Sequence, residues 1–225
     1  MMNKCPDETL LVEYASGALS TAPSIAVTTH LKFCDKCANA VRTLGFIGGS
    51  LLECLEEEEV SAGLLGKVFD RIDSQEEGEP AFAELPKKSP SPPKDSVASG
   101  LPEFVRKLLP GEELRWRNLT SSLEVAPIRI GEESFELSLH KIQPGGMAPE
   151  HDHRGKEITV VLRGSFSDED GVYHPGDFLV REEGDTHRPY AARNEECVCL
   201  SVLEAPIKLT GIKRILNPFI SFSPS

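Results

Sequence analysis

Eight residues, in two separate parts of the chain, have the types and spacing to bind metal. In residues 145–164, GGMAPEHDHRGKEITVVLRG, His151 and His153 lie two apart and Glu157 follows four later, between an opening and a closing glycine. Residues i and i+2 of a strand share a face, so both imidazoles are expected to point one way, with Glu157 close by on the same strand or its turn. A further imidazole comes from Gly176-x5-Glu182-x-Gly184-x2-His187, on a strand after the Pro175-Gly176 turn signal. Three imidazoles and one carboxylate suit a divalent zinc, iron, nickel, copper or manganese ion. The other set is His30-x3-Cys34-x2-Cys37, with Cys5 just ahead of the first expected helix. A lone Cys-x2-Cys is a weak signal, but a histidine one helical turn upstream makes it a zinc pattern.

These residues need elements to position them, and the composition divides the 225 residues into three parts. Residues 76–102 hold six prolines among Ser, Lys and Glu. They cannot bury enough surface to offset their ordering entropy and are expected to be a semi-extended linker. Residues 1–75 are expected to form a helical zinc-binding domain, and residues 103–225 an antiparallel β-barrel, for an α+β chain of two domains.

In the first part, the Pro6-Asp7-Glu8 start predicts a helix carrying Leu10, Leu11 and Tyr14 and ending at Gly17 or Ser20. A second is predicted over 23–33, with His30 near its end. A third starts near Asp35 and carries Val41, Leu44, Ile47, Leu51 and Leu55, although Gly45, Gly48 and Gly49 weaken it. A fourth follows the acidic run Glu56 to Glu59 and carries a stripe of Val60, Leu64, Leu65, Val68, Phe69 and Ile72, which is either core or a partner-binding face. Four short helices make a thin core, and a domain below roughly 70–80 residues often needs a metal staple. Zinc at Cys5, His30, Cys34 and Cys37 would clamp the first helix against the junction of the next two.

In the last part, a short helix is predicted over 101–109. Strands are predicted over 114–119, 123–130, 134–142, 158–162, 176–180, 197–203 and 207–215, with turn signals between them. His140 and His174 fall outside the metal pattern and are read as surface or structural histidines. Cys197 and Cys199 share a strand face, as small core residues or as thiols lining the barrel; packing is favoured. Cys54 is read as core.

The net charge is −12, and residues 1–80 carry 14 acidic against 6 basic side chains. Such a surface argues against nucleic acid or an anionic membrane as partner and for a basic protein. No apolar run reaches about 18 residues and no basic stretch precedes an apolar one, so neither a membrane span nor a secretory signal is expected. A cytoplasmic chain follows, and structural disulfides are uncommon there, which leaves metal as a reason for the clustered cysteines among the six.

Both histidine-bearing stretches resemble the signature motifs of the cupins, small antiparallel barrels with a metal in the barrel mouth. The first matches at every signature position. The second keeps its spacing and His187, with Glu182 where that family has Pro and Ala191 where it has Asn. The phrase PDETLLVEYASGAL, with His-x3-Cys-x2-Cys after a leading ligand, resembles the zinc-binding anti-sigma domain. Joined in this order, the two parts resemble the ChrR-type anti-sigma factors.

That resemblance implies an extracytoplasmic-function sigma factor as partner, held by the N-terminal zinc domain. It also implies release on singlet oxygen or a related oxidant sensed through the cupin metal, zinc or another divalent transition metal. No catalytic residues and no direct contact with nucleic acid or membrane are implied. The leading ligand in the ChrR type is His, whereas Cys5 stands here, as in a redox-responsive branch of zinc anti-sigma factors. The alternative is a dioxygenase-like cupin metalloenzyme fused to a zinc domain. The acidic helical part, which adds surface and no evident chemistry, favours the regulator.

Overall fold

The computed structural model describes residues 4–75, 103–108 and 114–210. The proline-rich stretch 76–102, and the part of the 207–215 strand beyond residue 210, lie outside the described residues.

Four helices precede the barrel. Helix α1 (Glu8–Ala15) starts where the Asp7 carboxylate accepts the Leu10 N–H at 2.8 Å. Helices α2 (Thr21–Leu31), α3 (Asp35–Glu53) and α4 (Leu64–Gln75) follow, and a short α5 (Glu103–Leu108) leads into the strands. Glycines 45, 48 and 49 do not break α3, which runs through all three.

The strands form three antiparallel sheets. The large one has the order β1 (Arg117–Asn118), β2 (Leu123–Ile128), β3 (Glu136–Ile142), β11 (Cys197–Leu203), β5 (Glu157–Arg163) and β8 (Phe178–Arg181). A second joins β10 (Tyr190–Ala191), β6 (Phe166–Asp168) and β7 (Gly171–Tyr173). A third joins β12 (Lys208–Leu209), β4 (His151–Asp152) and β9 (Thr186–His187). The predicted 197–203 strand is found with its bounds unchanged, and the other long strands shift by one to three residues. Strands at His151 and at His187 were expected from the histidine motifs and are found as the two-residue β4 and β9, whereas β6, β7 and β10 were not foreseen, being too short to show a period.

Every residue of β11 is buried, so the strand lacks the usual alternation of apolar and polar positions. Val198, Leu200 and Val202 face outward and pack in one cluster with Ile25, Ala26 and Val27 of α2. Cys197 and Cys199 face inward with Leu123, Val125, Ile142 and Phe166. Helix α2 has no single apolar stripe, and its buried residues, Ala22, Pro23, Ile25, Ala26, Val27, Thr29 and His30, lie on more than one side. One side meets α1 and α3 and the other lies on the outer face of the large sheet. Polar contacts accompany that packing, for the Ala22 N–H donates to Glu132 Oε2 at 2.7 Å.

The helices therefore share one core with the barrel rather than building a thin one alone. Among the described residues α1, α2, the first half of α3 and Val105 of α5 take part, and α4 does not. From Phe46 onward the apolar side chains are exposed, including Leu51, Leu52, Leu55, Leu65 and Phe69. Cys54, expected in the core, is exposed at the C-cap of α3, because among the described residues no element packs on that end of the helix.

Candidate metal centres

Each predicted quartet comes together. The donor atoms of Cys5, His30, Cys34 and Cys37 all lie within 4.8 Å of one another, and so do those of His151, His153, Glu157 and His187.

His151 and His153 do not share a strand, although the i, i+2 argument expected it. His151 lies on β4, His153 in the turn after it, Glu157 at the start of β5, and His187 on β9 opposite His151. The close of the motif requires glycine. Gly164 has φ +70°, and a Cβ there would overlap the Glu196 carbonyl oxygen. At the second motif, where Glu182 replaces the family's proline, the turn is closed by other means. The Asp185 carboxylate accepts the Glu182 N–H at 2.9 Å, and Gly184 takes φ +91°. Ala191 is buried in β10.

All four side chains are buried. Each histidine engages Nδ1 in a hydrogen bond: His151 with Pro149 O at 2.8 Å, His153 with Asp185 O at 2.6 Å and His187 with Asp168 Oδ2 at 3.3 Å. Carbonyl and carboxylate oxygens only accept, so Nδ1 carries the proton and Nε2 turns a lone pair inward. The inward atoms crowd one point. Nε2 of His151 and of His187 are 3.0 Å apart, and Nε2 of His153 is 2.6 Å from Glu157 Oε2. Lone pairs facing one another and a carboxylate at such range need a cation between them.

Burial works to raise the Glu157 carboxyl, but in the metal-free chain His151 and His153, where protonated at Nε2 as well, hold it well below the usual range by hydrogen bonding and charge. Its other oxygen accepts the Ser201 hydroxyl at 2.9 Å. His187 is pushed down to about 4, first by burial and then by His151. Asp168, not singled out by the sequence, anchors this side. It accepts Arg181 at 2.7 Å and the Tyr173 hydroxyl at 3.0 Å as well as His187. No spacing pattern marks it, because its partners come from β7, β8 and β9.

A cavity of about 420 Å³ opens on this quartet. Its wall is mainly apolar, with Leu123, Val125, Ile142 and Phe166, and His140 and Cys199 also face it. His140 is thus a half-buried cavity residue, held by Ser138 Oγ at 3.0 Å. Cys197 is core as read, whereas Cys199 both packs and lines the cavity. The Cys197 neighbour and burial raise the Cys199 thiol well above its usual range, so it stays protonated.

In the helical quartet, Cys5 precedes α1, His30 lies in the last turn of α2, and Cys34 is the N-cap of α3. Cys5 Sγ and Cys34 Sγ are 3.8 Å apart. Burial opposes ionisation of Cys34, but backbone and side-chain hydrogen bonds at the α3 N-terminus lower it below the ordinary thiol value. Cys37 is pushed up to about 12, mainly by burial and by Cys5, as expected when thiolates crowd together with no cation. His30 is completely buried. Its Nδ1 donates to the Gly176 carbonyl at 2.6 Å, and its Nε2, facing the cysteines, has no hydrogen-bond partner. An orphaned imidazole nitrogen among three thiols fits a tetrahedral zinc site. His174, read as structural, sits in the turn before β8, where its N–H donates to Asp177 Oδ2 at 2.8 Å.

Comparison with known proteins agrees with both parts and their order. Residues 106–206 match the ChrR cupin-like domain family. The anti-sigma-E factor ChrR of Cereibacter sphaeroides is 34% identical over 214 residues, which span 94% of this chain and 95% of that protein. The crystal structure of Rhodobacter sphaeroides SigE in complex with the anti-sigma ChrR superposes with a TM-score of 0.71 at 31% identity, covering 90% of this chain and 100% of that one. This chain belongs to the ChrR family of anti-sigma factors.

Proposed function

We propose that this protein sequesters an extracytoplasmic-function sigma factor through its N-terminal helices and releases it when an oxidant signal, singlet oxygen or a related species, reaches the barrel. The observation that carries this reading is the apolar face of α3 and α4, which is exposed among the described residues. Phe46 is 71% exposed, Leu51 65%, Leu65 67% and Phe69 55%, and the acidic run Glu56 to Glu59 joins the two helices. A contiguous exposed apolar face is a docking surface, and the surrounding carboxylates select a basic partner. The solved relative in complex with SigE supports a sigma factor as that partner.

In this reading residues 1–75 form the sigma-binding domain, 76–102 the linker and 103–225 the sensing cupin. Zinc is bound by Cys5, His30, Cys34 and Cys37 and ties the start of α1 to the α2–α3 junction, which sets the direction of the docking helix. His151, His153, Glu157 and His187 hold zinc or another divalent transition metal, which when bound supplies a Lewis acid with room for a further ligand. The apolar cavity above that quartet supports entry of the signal there. Membership of a family of regulators favours this over an oxygenase built on the same quartet.

The test is co-expression with the extracytoplasmic-function sigma factors of the same cell, followed by pull-down and transcription assay. The parent chain captures one of them and silences it. Leu65→Glu with Phe69→Glu weakens capture by roughly 30-fold or more, as loss of an interface hot spot does. His151→Ala with His153→Ala still captures it but no longer lets go under singlet oxygen. Capture of none by the parent chain overturns the reading.

A further inference from the structure

Both quartets are tied to one short piece of the barrel, β8 and the turn before it, the helical one by a direct hydrogen bond and the barrel one through strand pairing and Asp168. At its N-terminal end, the Gly176 carbonyl accepts His30 Nδ1 at 2.6 Å. The next two residues grip the chain beside Cys5: Asp177 Oδ1 accepts the Lys4 N–H at 2.8 Å, and the Phe178 N–H donates to the Lys4 carbonyl at 2.9 Å. The Phe178 ring meets the His30 ring edge-on at 5.7 Å. Two of the four helical donors, His30 directly and Cys5 through its neighbour, are thus positioned by residues 176–178. Asp177 is itself buried, and its other oxygen is taken by the His174 N–H.

The C-terminal end of β8 reaches the other quartet. Arg181 pairs in register with Glu157 on β5, and its guanidinium holds Asp168, the carboxylate that accepts His187 Nδ1. The strand is four residues long, and three rises carry it from Phe178 to Arg181, roughly 10 Å. A paired strand of that length moves as a unit, so a shift at one end is felt at the other.

We propose that β8 couples the two metal sites. It rests on the reading that both quartets bind metal. Metal at the barrel quartet fixes His187 and Glu157, hence Asp168 and Arg181, and keeps β8 where Gly176 and Asp177 support His30 and Lys4. Loss or rearrangement of that metal loosens the outer contacts of the helical zinc, and His30 and Cys34 sit at the two helix ends that aim the docking face. Outer contacts of this kind are worth about 10–100-fold in metal affinity. Coupling is reciprocal, so emptying the helical site weakens the barrel site by the same factor.

Cobalt(II) in the full-length chain tests this, because thiolate-to-cobalt charge transfer reports the Cys3His site alone while the barrel quartet has no sulfur donor. Titration against a chelator gives the affinity of the helical site in the parent, in His151→Ala with His153→Ala, and in Asp177→Ala. Both variants are expected to weaken that site about tenfold. Reciprocally, Cys34→Ala with Cys37→Ala is expected to weaken barrel binding by a similar factor, read by calorimetry. The histidine pair lies outside β8, so its effect does not depend on Asp177→Ala folding. Two metals per parent chain, with helical affinity within about twofold of parent in the folded histidine variant, overturns the coupling alone. One metal per parent chain overturns both the coupling and the two-site reading.

Discussion

Asp168 shows how much of a metal site lies outside its ligands. Its side chain is fully buried and accepts from Arg181, Tyr173 and His187, so it sets the tautomer and direction of one imidazole. Asp168→Asn keeps the volume but loses the charge that Arg181 needs, and is expected to lower metal affinity at the barrel quartet about 10–100-fold, measured by calorimetry. His187 itself gives a pH prediction for the metal-free protein. Unfolded, it takes up a proton near pH 6.5, whereas in the fold burial and His151 hold it down to about 4. The unfolded state therefore binds more protons in that window, so this contribution is complete above about pH 6.5 and lost as pH falls towards 4. Glu157 shifts His153 the opposite way. The measurement is accordingly a difference: denaturant midpoints of the metal-free parent fall more steeply between these pH values than those of metal-free His187→Asn.

At the scale of elements, α3 and β11 contrast in what the same side chain is worth. Leu200 on β11 is completely buried between α2 and the sheet, while Leu51 in the second half of α3 is 65% exposed. Leu200→Ala is expected to cost about 2–5 kcal/mol, because it leaves a cavity where rigid neighbours cannot close in. Leu51→Ala should change stability by no more than about 0.5 kcal/mol. Urea denaturation of both variants checks this, and a large loss for Leu51→Ala would mean that the face is covered within the chain. Apolar residues that add no stability to the helix carrying them are consistent with the docking role proposed for that face.

Across the whole molecule, helices and barrel meet in one apolar cluster that runs from Leu10 and Leu11 through Ile25 and Val27 to Leu139, Val160 and Leu200. No polar layer interrupts it, and the contacts of Lys4, Ala22 and His30 with Asp177, Glu132 and Gly176 add directional bonds. Such a core melts as a unit. The metal-loaded chain is expected to show a single calorimetric transition in which the thiolate–cobalt band and the aromatic circular dichroism disappear together. Separate transitions would show that the two parts hold together less firmly than their shared core implies. Among the described residues no helix is long and apolar enough to cross a membrane.

The sequence by itself marked the candidate metal donors that the fold brings together, because ligand identity and local spacing carry them: His-x-His-x3-Glu and His-x3-Cys-x2-Cys each fall within a single short stretch. It determined the four N-terminal helices and the long strands through their apolar period, as well as the resemblance to an anti-sigma domain joined to a cupin. What only the tertiary structure decided are matters of which surfaces meet. Periodicity marks an apolar stripe but does not say what covers it, so the packed first half of α3 and its exposed second half with α4 look alike as sequence. Cys54 was misplaced for that reason: it sits on a helix end that nothing among the described residues packs against. Asp168, Asp177 and Gly176 carry no motif, because their partners stand up to 173 residues away in the chain and are brought to them by the sheet. Long-range pairing of this sort depends on the register of β8 against β5, which is a property of the folded barrel rather than of any one segment.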